Sequence, residues 1–284
     1  LHGLLKNVDH RNLSIGPGST QVALDSDWQR MLAELEAIGN CLRVSRNPAA
    51  VLGLLSAYPC LEFAADGKAA GSWAGGLEID FVPWDAAVAV AEERGCCVAH
   101  HIDFCDSDGD VLHRVCLSEG SDLGAYLEWV VRNQRKVEAS EKRGSAPFSM
   151  RRWCTVPQRH WLDYDEISEI PPRLVERVFE AARNESMPIG CFVGNHSVVQ
   201  AAAFVPLAIR PASDWLFVSD DQVGLHFDPE GISSALVHHG AEQPPSLKIF
   251  DDSGSLCLAL MSPAGRSAED WSDFLRRLTD APIS

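Results

Sequence analysis

The chain is expected to fold as an α+β tandem duplication, with two antiparallel β-sheets packed on one another and helices flanking each. Three observations predict this. Short runs of alternating apolar residues are broken by turn signals such as Asp106-Ser107-Asp108-Gly109 and Asp251-Asp252-Ser253-Gly254, as in antiparallel hairpins. Amphipathic helical stretches, Ser121 to Asn133 and Ala268 to Leu278, follow those hairpins. The same outline also occurs twice. Asn47 and Val51 precede Asn195 and Val199 by 148 positions, Leu77 and Ile79 precede Leu225 and Phe227 by the same 148, and Asp106 and Gly109 precede Asp251 and Gly254 by 145. Recurrence of several element types in one order at a nearly constant offset makes duplication the best explanation.

Residues 1–24 mix Gly, Pro, Ser and Asn and read as an extended arm. A first repeat is expected over 25–133. It begins with a helix capped by Asp25 or Ser26, carrying Trp28, Met31, Leu32, Leu35 and Ile38 at helical spacing and ending at Gly39. Cys41 to Ser45, Ala49 to Leu55, Leu61 to Ala64 and Ser72 to Trp73 read as a meander of short strands. Leu77-Glu78-Ile79-Asp80-Phe81 alternates, which places Leu77, Ile79 and Phe81 on a buried face. Trp84 to Glu93 reads as a helix, Val98 to Cys105 with Val111 to Leu117 as a hairpin, and Ser121 as the cap of the closing helix. Residues 134–169, with alternating charges and then an aromatic-basic stretch, read as a linker. The second repeat, 170–284, runs through a helix at Pro171 to Glu185 and a hairpin at Phe192 to Gln200, whose Gly194-Asn195 pair tolerates positive φ. Strands at Trp215 to Val218 and Gly224 to Phe227, a helix near Glu230 to Val237, the hairpin of Leu247 to Leu260 and the last helix complete it.

Composition narrows the function. With 24 Lys+Arg against 40 Asp+Glu, the net charge of −16 opposes attraction to nucleic acid or an anionic membrane. No apolar run approaches the roughly 20 residues of a bilayer span. Nine cysteines are scattered without a Cys-x-x-Cys, mostly in apolar runs, which suits free thiols in a reducing cytoplasm. Gly-rich phosphate loops, His-Glu-x-x-His and Gly-x-Ser-x-Gly are lacking.

The order of motifs resembles the hemin-degrading factor family, the HemS and ChuX type of bacterial haem-utilisation proteins. In the first repeat the resemblance rests on the tryptophan helix, Arg46-Asn47-x-x-Ala50-Val51, the Leu-acidic-Ile strand followed by Trp84, and Phe104-x-Asp106-x-x-Gly109 leading to His113-Arg114-Val115. In the second it rests on Phe192-Val193-Gly194-Asn195, Val199-Gln200, Trp215-Leu216, Leu225-His226-Phe227 and Ser246-Leu247-x-x-Phe250-Asp251-x-x-Gly254. It implies a cytoplasmic protein that takes haem from an uptake transporter and stores, delivers or degrades it. Phe192 matches the family's haem side, and Arg266 lies near a family arginine when a small gap is allowed. His238-His239-Gly240 stands where the family has a basic pair, which brings in His239. The departures are Asp80 in place of a haem-facing arginine, Leu52 in place of a histidine, and a segment between the repeats whose only histidine is His160.

His160 lies beside Arg151, Arg152 and Arg159, which suit propionates, and imidazole suits iron; the competing reading is a surface or packing histidine. His196 is a further candidate on the turn of the second-repeat hairpin. His101, Asp103 and Cys105 share one face of a strand and offer a non-haem metal site, against the plainer reading of hairpin packing. The functional alternative to haem binding is a diverged member that serves as a binding or scaffold protein for another apolar ligand or a protein partner.

Overall fold

The computed structural model describes residues 19–72, 74–94, 97–135, 166–239, 245–263 and 267–280. The first half runs β1 (Thr20–Ala23), α1 (Trp28–Ala33), a 3-10 turn (Leu35–Ile38), β2 (Gly39–Arg46), β3 (Ala50–Ala57), β4 (Glu62–Phe63), β5 (Ala69–Ser72), β6 (Leu77–Asp80), β7 (Ala86–Arg94), β8 (Cys97–Cys105), β9 (Val111–Ser121) and α2 (Leu123–Asn133). The second runs β10 (Glu166–Ile170), α3 (Leu174–Glu185), β11 (Ile189–Gly194), β12 (Val198–Phe204), β13 (Ala208–Ala212), β14 (Trp215–Ser219), β15 (Val223–Phe227), β16 (Ser234–His239), β17 (Ser246–Phe250), β18 (Leu256–Met261) and α4 (Ala268–Asp280). The strands form two antiparallel nine-stranded sheets, in the orders β1-β7-β8-β9-β2-β3-β15-β14-β13 and β10-β16-β17-β18-β11-β12-β6-β5-β4.

The chain divides into two compact units that do not follow sequence halves. Unit 1 takes the described residues of Leu1–Ser45, Gly53–Cys154 and Ser197–Val199; unit 2 takes those of Arg46–Leu52, Thr155–His196 and Gln200–Ser284. Each therefore includes a few residues from the other repeat.

In unit 1 the core gathers Met31, Leu32, Leu35, Leu77, Ile79, Phe81, Phe104, Tyr126 and Trp129 around Trp84. Trp84 lies 4.5 Å from the Phe104 ring and 5.2 Å from Phe81. Leu77, Ile79 and Phe81 are buried as their alternation predicts. The β8–β9 and β17–β18 hairpins turn alike: Asp106 Oδ1 accepts from the Asp108 and Asp110 amides, and Asp251 Oδ1 from those of Ser253 and Ser255. Gly109 and Gly254 supply the positive φ that closes each turn, 82° and 75°.

Five expectations need correction. The cap of α1 is Asp27, whose Oδ1 accepts from the Arg30 amide, rather than Asp25 or Ser26. The stretch expected as a helix at Trp84 to Glu93 is mostly strand β7, paired with β1 on one side and β8 on the other. Val88 and Val90 alternate with Ala87 and Ala89, all buried, and two-sided burial outweighs the helical preference of Ala and Glu. The helix expected near Glu230 to Val237 is replaced by β16, paired with β10 and β17. The cap of α2 is Asp122, whose Oδ1 accepts from the Ala125 amide, while Ser121 still belongs to β9. The β11–β12 turn uses no positive φ at Gly194 or Asn195. Two strands were also missed. Thr20–Ala23, expected in the arm, forms β1, and Glu166–Ile170, expected in the linker, forms β10.

Candidate functional site

Unit 2 holds the sheet region that carries Phe192. Strand registers place Leu236 opposite Lys248, Lys248 opposite Ala259, and Ala259 opposite Phe192. Two residues along each strand a second row runs His238, Ser246, Met261, Gly190. Side chains two apart on a strand share a face, as do residues directly opposed across strands, so these two rows form one surface. The intervening row, Val237, Leu247, Leu260 and Cys191, faces the other way and is at most 3% exposed.

On the Phe192 surface, the rings and chains of Phe192, Leu236 and Met261 are half-buried. Gly190 keeps it flat: a Cβ there would stand 3.1 Å from the Met261 carbonyl oxygen, 3.5 Å from Met261 Cγ and 3.7 Å from Phe192 Cε2. One buried hydroxyl on this surface, Ser246 Oγ, has no hydrogen-bond partner among the described residues. An orphaned hydroxyl in such a place costs about 1–3 kcal/mol unless something external satisfies it. Lys248 is fully buried on the same surface, and burial pulls its ammonium pKa down to about 8. The arrangement offers an aromatic edge, a thioether, a flat glycine strip and a hydroxyl able to donate.

His196 lies in the β11–β12 turn, half-buried between Asn195 and Ser197, both without exposure. That turn is at the other end of β11 from Gly190, about 16 Å away at strand rise, so the structure does not bring His196 to the glycine strip. His239 ends β16 opposite Glu166. Its neighbour His238 supplies the buried imidazole of the second row. His160 and Arg266 lie outside the described residues. Ser246, Met261 and Gly190 were missed by sequence reading. A bulge between Ile249 and Phe250 shifts the β17–β18 register, so the Ser246–Met261 pairing cannot be counted outward from the Asp251–Gly254 turn.

The metal reading at His101, Asp103 and Cys105 meets a different chemistry. Arg114 Nε and Nη2 donate to the two Asp103 oxygens at 2.5 and 2.8 Å, and His101 Nε2 lies 3.7 Å from Asp103 Oδ2. This is a buried bidentate ion pair, with a carboxylate already neutralised. Among the described residues no cluster of three His, Cys, Asp or Glu side chains is arranged to hold a metal. Asp80, where a haem-facing arginine was expected, is exposed and accepts from the Val82 amide. Among the described residues no helix is long and apolar enough to cross a membrane.

Residues 163–278 match the haemin-degrading HemS.ChuX domain family. Over 92% of this chain and 86% of their own length, the hemin transport proteins HmuS of Yersinia pestis and HemS of Yersinia enterocolitica are each 21% identical to it. Holo-PhuS, a heme-binding protein from Pseudomonas aeruginosa, superposes with a TM-score of 0.77 at 21% identity, covering 92% of this chain and 86% of that one. ChuS, an E. coli heme oxygenase, does so with a TM-score of 0.75 at 19% identity, covering 91% and 88%. These structures share the duplicated two-sheet fold.

Proposed function

From the match of residues 163–278 to the haemin-degrading HemS.ChuX domain, we propose that this chain is a member of that family, binds haem and serves haem-iron utilisation by trafficking or degradation. The observation that carries the proposal is the family match over the part of the chain that builds the Phe192 surface. The residues there fit a porphyrin. Phe192 and Met261 offer apolar and polarisable contact to a flat macrocycle, Gly190 leaves room for it, and the Ser246 hydroxyl can donate to a propionate. Bound haem would supply iron-centred redox chemistry. His160 is proposed as the axial ligand, with Arg266 and His239 as further contacts. We place the protein in the cytoplasm, receiving haem from an uptake transporter, with repeats at 25–133 and 170–284 joined by 134–169. Brief trypsin digestion that cut inside a repeat before 134–169 would contradict those boundaries.

Hemin titration tests the function. The expected result is a Soret shift that saturates at about one equivalent and disappears in His160→Ala. Phe192→Ala should weaken binding ~10-fold, about 1.4 kcal/mol. No shift at micromolar hemin would sink the proposal. It would favour the second reading, a diverged scaffold or carrier of another apolar ligand, which Asp80 in place of an arginine supports.

A further inference from the structure

The Phe192 surface of unit 2 and its duplicate in unit 1 share a register but not their side chains. In unit 2, Met261 of β18 stands opposite Gly190 of β11 on one side and Ser246 of β17 on the other, with Ala259 two residues along its own strand. At the offsets of 148 and 145, unit 1 has Cys116 between Leu42 and His101, with Arg114 along the strand. Three large side chains of unit 1 are thus matched by small ones, and one small side chain by a long one. Leu42, His101 and Arg114 fill the position in unit 1, each at most 5% exposed. In unit 2, Gly190, Ser246 and Ala259 make a low, buried floor from which half-buried Met261 rises. Met261 Cγ and Phe192 Cε2 lie 3.5 and 3.7 Å from where a Cβ on Gly190 would stand, so thioether and ring lean over the same bare spot.

We propose that Met261 Sγ is an axial donor to haem iron from the sheet side. The inference rests on the haem reading above and adds a ligand to it; it does not depend on His160. Side chains of a strand project roughly normal to the sheet, so a macrocycle lying flat on the floor meets Met261 along its own axis. Strands β17, β18 and β11 are neighbours, and at a spacing of about 4.8 Å they give a floor about 10 Å across with Met261 on the central strand. A thioether is a soft, uncharged donor that needs to lose no proton, and it is a known axial partner of haem iron that raises the reduction potential. The sulfur lone pair forms the coordinate bond and no electron is transferred. Ser246 is the second sign of a ligand: directly opposite Met261, its hydroxyl is buried with no partner among the described residues, and a polar substituent of the macrocycle would satisfy it. Competing donors are worse placed. His238 is two strands away, at about 10 Å, and only 3% exposed. Lys248, diagonal to Met261, has its pKa lowered only to about 8, so at neutral pH it is mostly protonated and offers iron no lone pair.

Methyl NMR of the full chain tests it. The protein, with its four methionine methyls isotope-labelled, is loaded with hemin and reduced with dithionite at neutral pH. The porphyrin ring current above the iron should carry one methionine methyl upfield of all the others, and Met261→Leu, a volume-conserving change, should remove that signal. The variant should still bind hemin, but its preference for the ferrous over the ferric form should fall about tenfold, which lowers the reduction potential by about 59 mV. A saturating Soret shift with every methionine methyl at its haem-free position overturns the inference and leaves haem binding standing. That result is read on the parent protein alone, so it holds whether or not the variant folds. A hemin spectrum unchanged in Met261→Leu but altered in His238→Gln also overturns it, by assigning the iron to the imidazole. Absence of any Soret shift in the parent at micromolar hemin removes the haem reading, and the ligand with it.

Discussion

Units 1 and 2 are closed by the same backbone device but secured by different side chains. In unit 1 the Asp80 amide donates to the Ser197 carbonyl at 2.7 Å; in unit 2 the Asp228 amide donates to the Ala49 carbonyl at 2.9 Å. Both partners in each bond stand 148 positions from their counterparts, so this is one bond built twice from exchanged residues. Around it the chemistry diverges. In unit 1, Trp84 Nε1 donates to Ser197 Oγ at 2.6 Å and that hydroxyl donates to the Asp80 carbonyl at 2.8 Å. The unit 2 counterparts, Ile232 and Ala49, carry no polar side-chain atom. Unit 2 relies instead on Asn47, which donates to the Gly194 and Cys257 carbonyls at 3.1 and 2.7 Å and accepts from the Ala49 and Ala50 amides. Asn195 adds a bond to the Arg46 carbonyl, and Gln200 one to that of Leu52. Backbone pairing has been kept through the duplication, because every buried amide needs a partner, while side chains found separate solutions.

The sharpest difference lies at one cross-strand pair. Asp103 opposite Arg114 in unit 1 corresponds, 145 positions on, to Lys248 opposite Ala259 in unit 2. Removing one member of a buried ion pair strands the other charge. Asp103→Ala should therefore cost about 3–5 kcal/mol in urea unfolding. Asp103→Leu with Arg114→Met should recover most of that loss. If the double variant is as unstable as Asp103→Ala, the pair does something beyond neutralising itself.

Asn47→Ala comes next, with an expected loss of about 2–4 kcal/mol, because two buried carbonyls lose their donor and the Asn47 side chain no longer orders the turn. Asn47→Asp should not rescue it, since a carboxylate cannot donate to Gly194 or Cys257. Rescue by Asp would show that only the accepting half of the side chain matters.

This exchange also marks where sequence reading stopped. The hairpin turns were legible because Asp106 to Gly109 and Asp251 to Gly254 state their conformation within four residues. The Asn47 and Asn195 turns were visible as a repeated pattern, yet the partners of Asn47, Gly194 and Cys257, lie 147 and 210 residues away. Local propensity carries no information about such bonds. The same limit produced the two false helices: β7 and β16 are interior strands whose neighbours, β1 with β8 and β10 with β17, decide their state. At the candidate site Phe192 was legible through the motif around it, whereas Gly190, Ser246 and Met261 become a surface only through register.

A pH measurement separates the units again. His113 in unit 1 corresponds to Leu258 in unit 2, and both are buried. Burial, and then the Arg43 charge, hold the His113 imidazole down from 6.5 to about 3, so it stays neutral when folded. The unfolded chain takes up a proton as pH falls through 6.5 while the folded chain does not. Stability from this group is complete above pH 6.5 and declines between 6.5 and 3, by up to about 1.4 kcal/mol per pH unit. His113→Leu, the unit 2 residue, should flatten that slope. Equal slopes in variant and parent would assign acid sensitivity to other groups.

The smallest effect concerns the side-chain anchor that unit 2 lacks. Trp84→Phe keeps an aromatic ring near Phe81 and Phe104 but leaves Ser197 Oγ without its donor, and should cost about 1–2 kcal/mol including the lost ring volume. Ser197→Ala, which imitates Ala49, leaves the indole N–H unsatisfied and should cost a similar amount. Combined, the two changes remove both polar partners together. They should then cost less than the sum of the single losses, by about 1 kcal/mol, in a double-mutant cycle read by thermal or urea unfolding. A strictly additive cycle would mean that the 2.6 Å bond contributes nothing beyond the packing of Trp84, and that unit 1 is closed, like unit 2, without it.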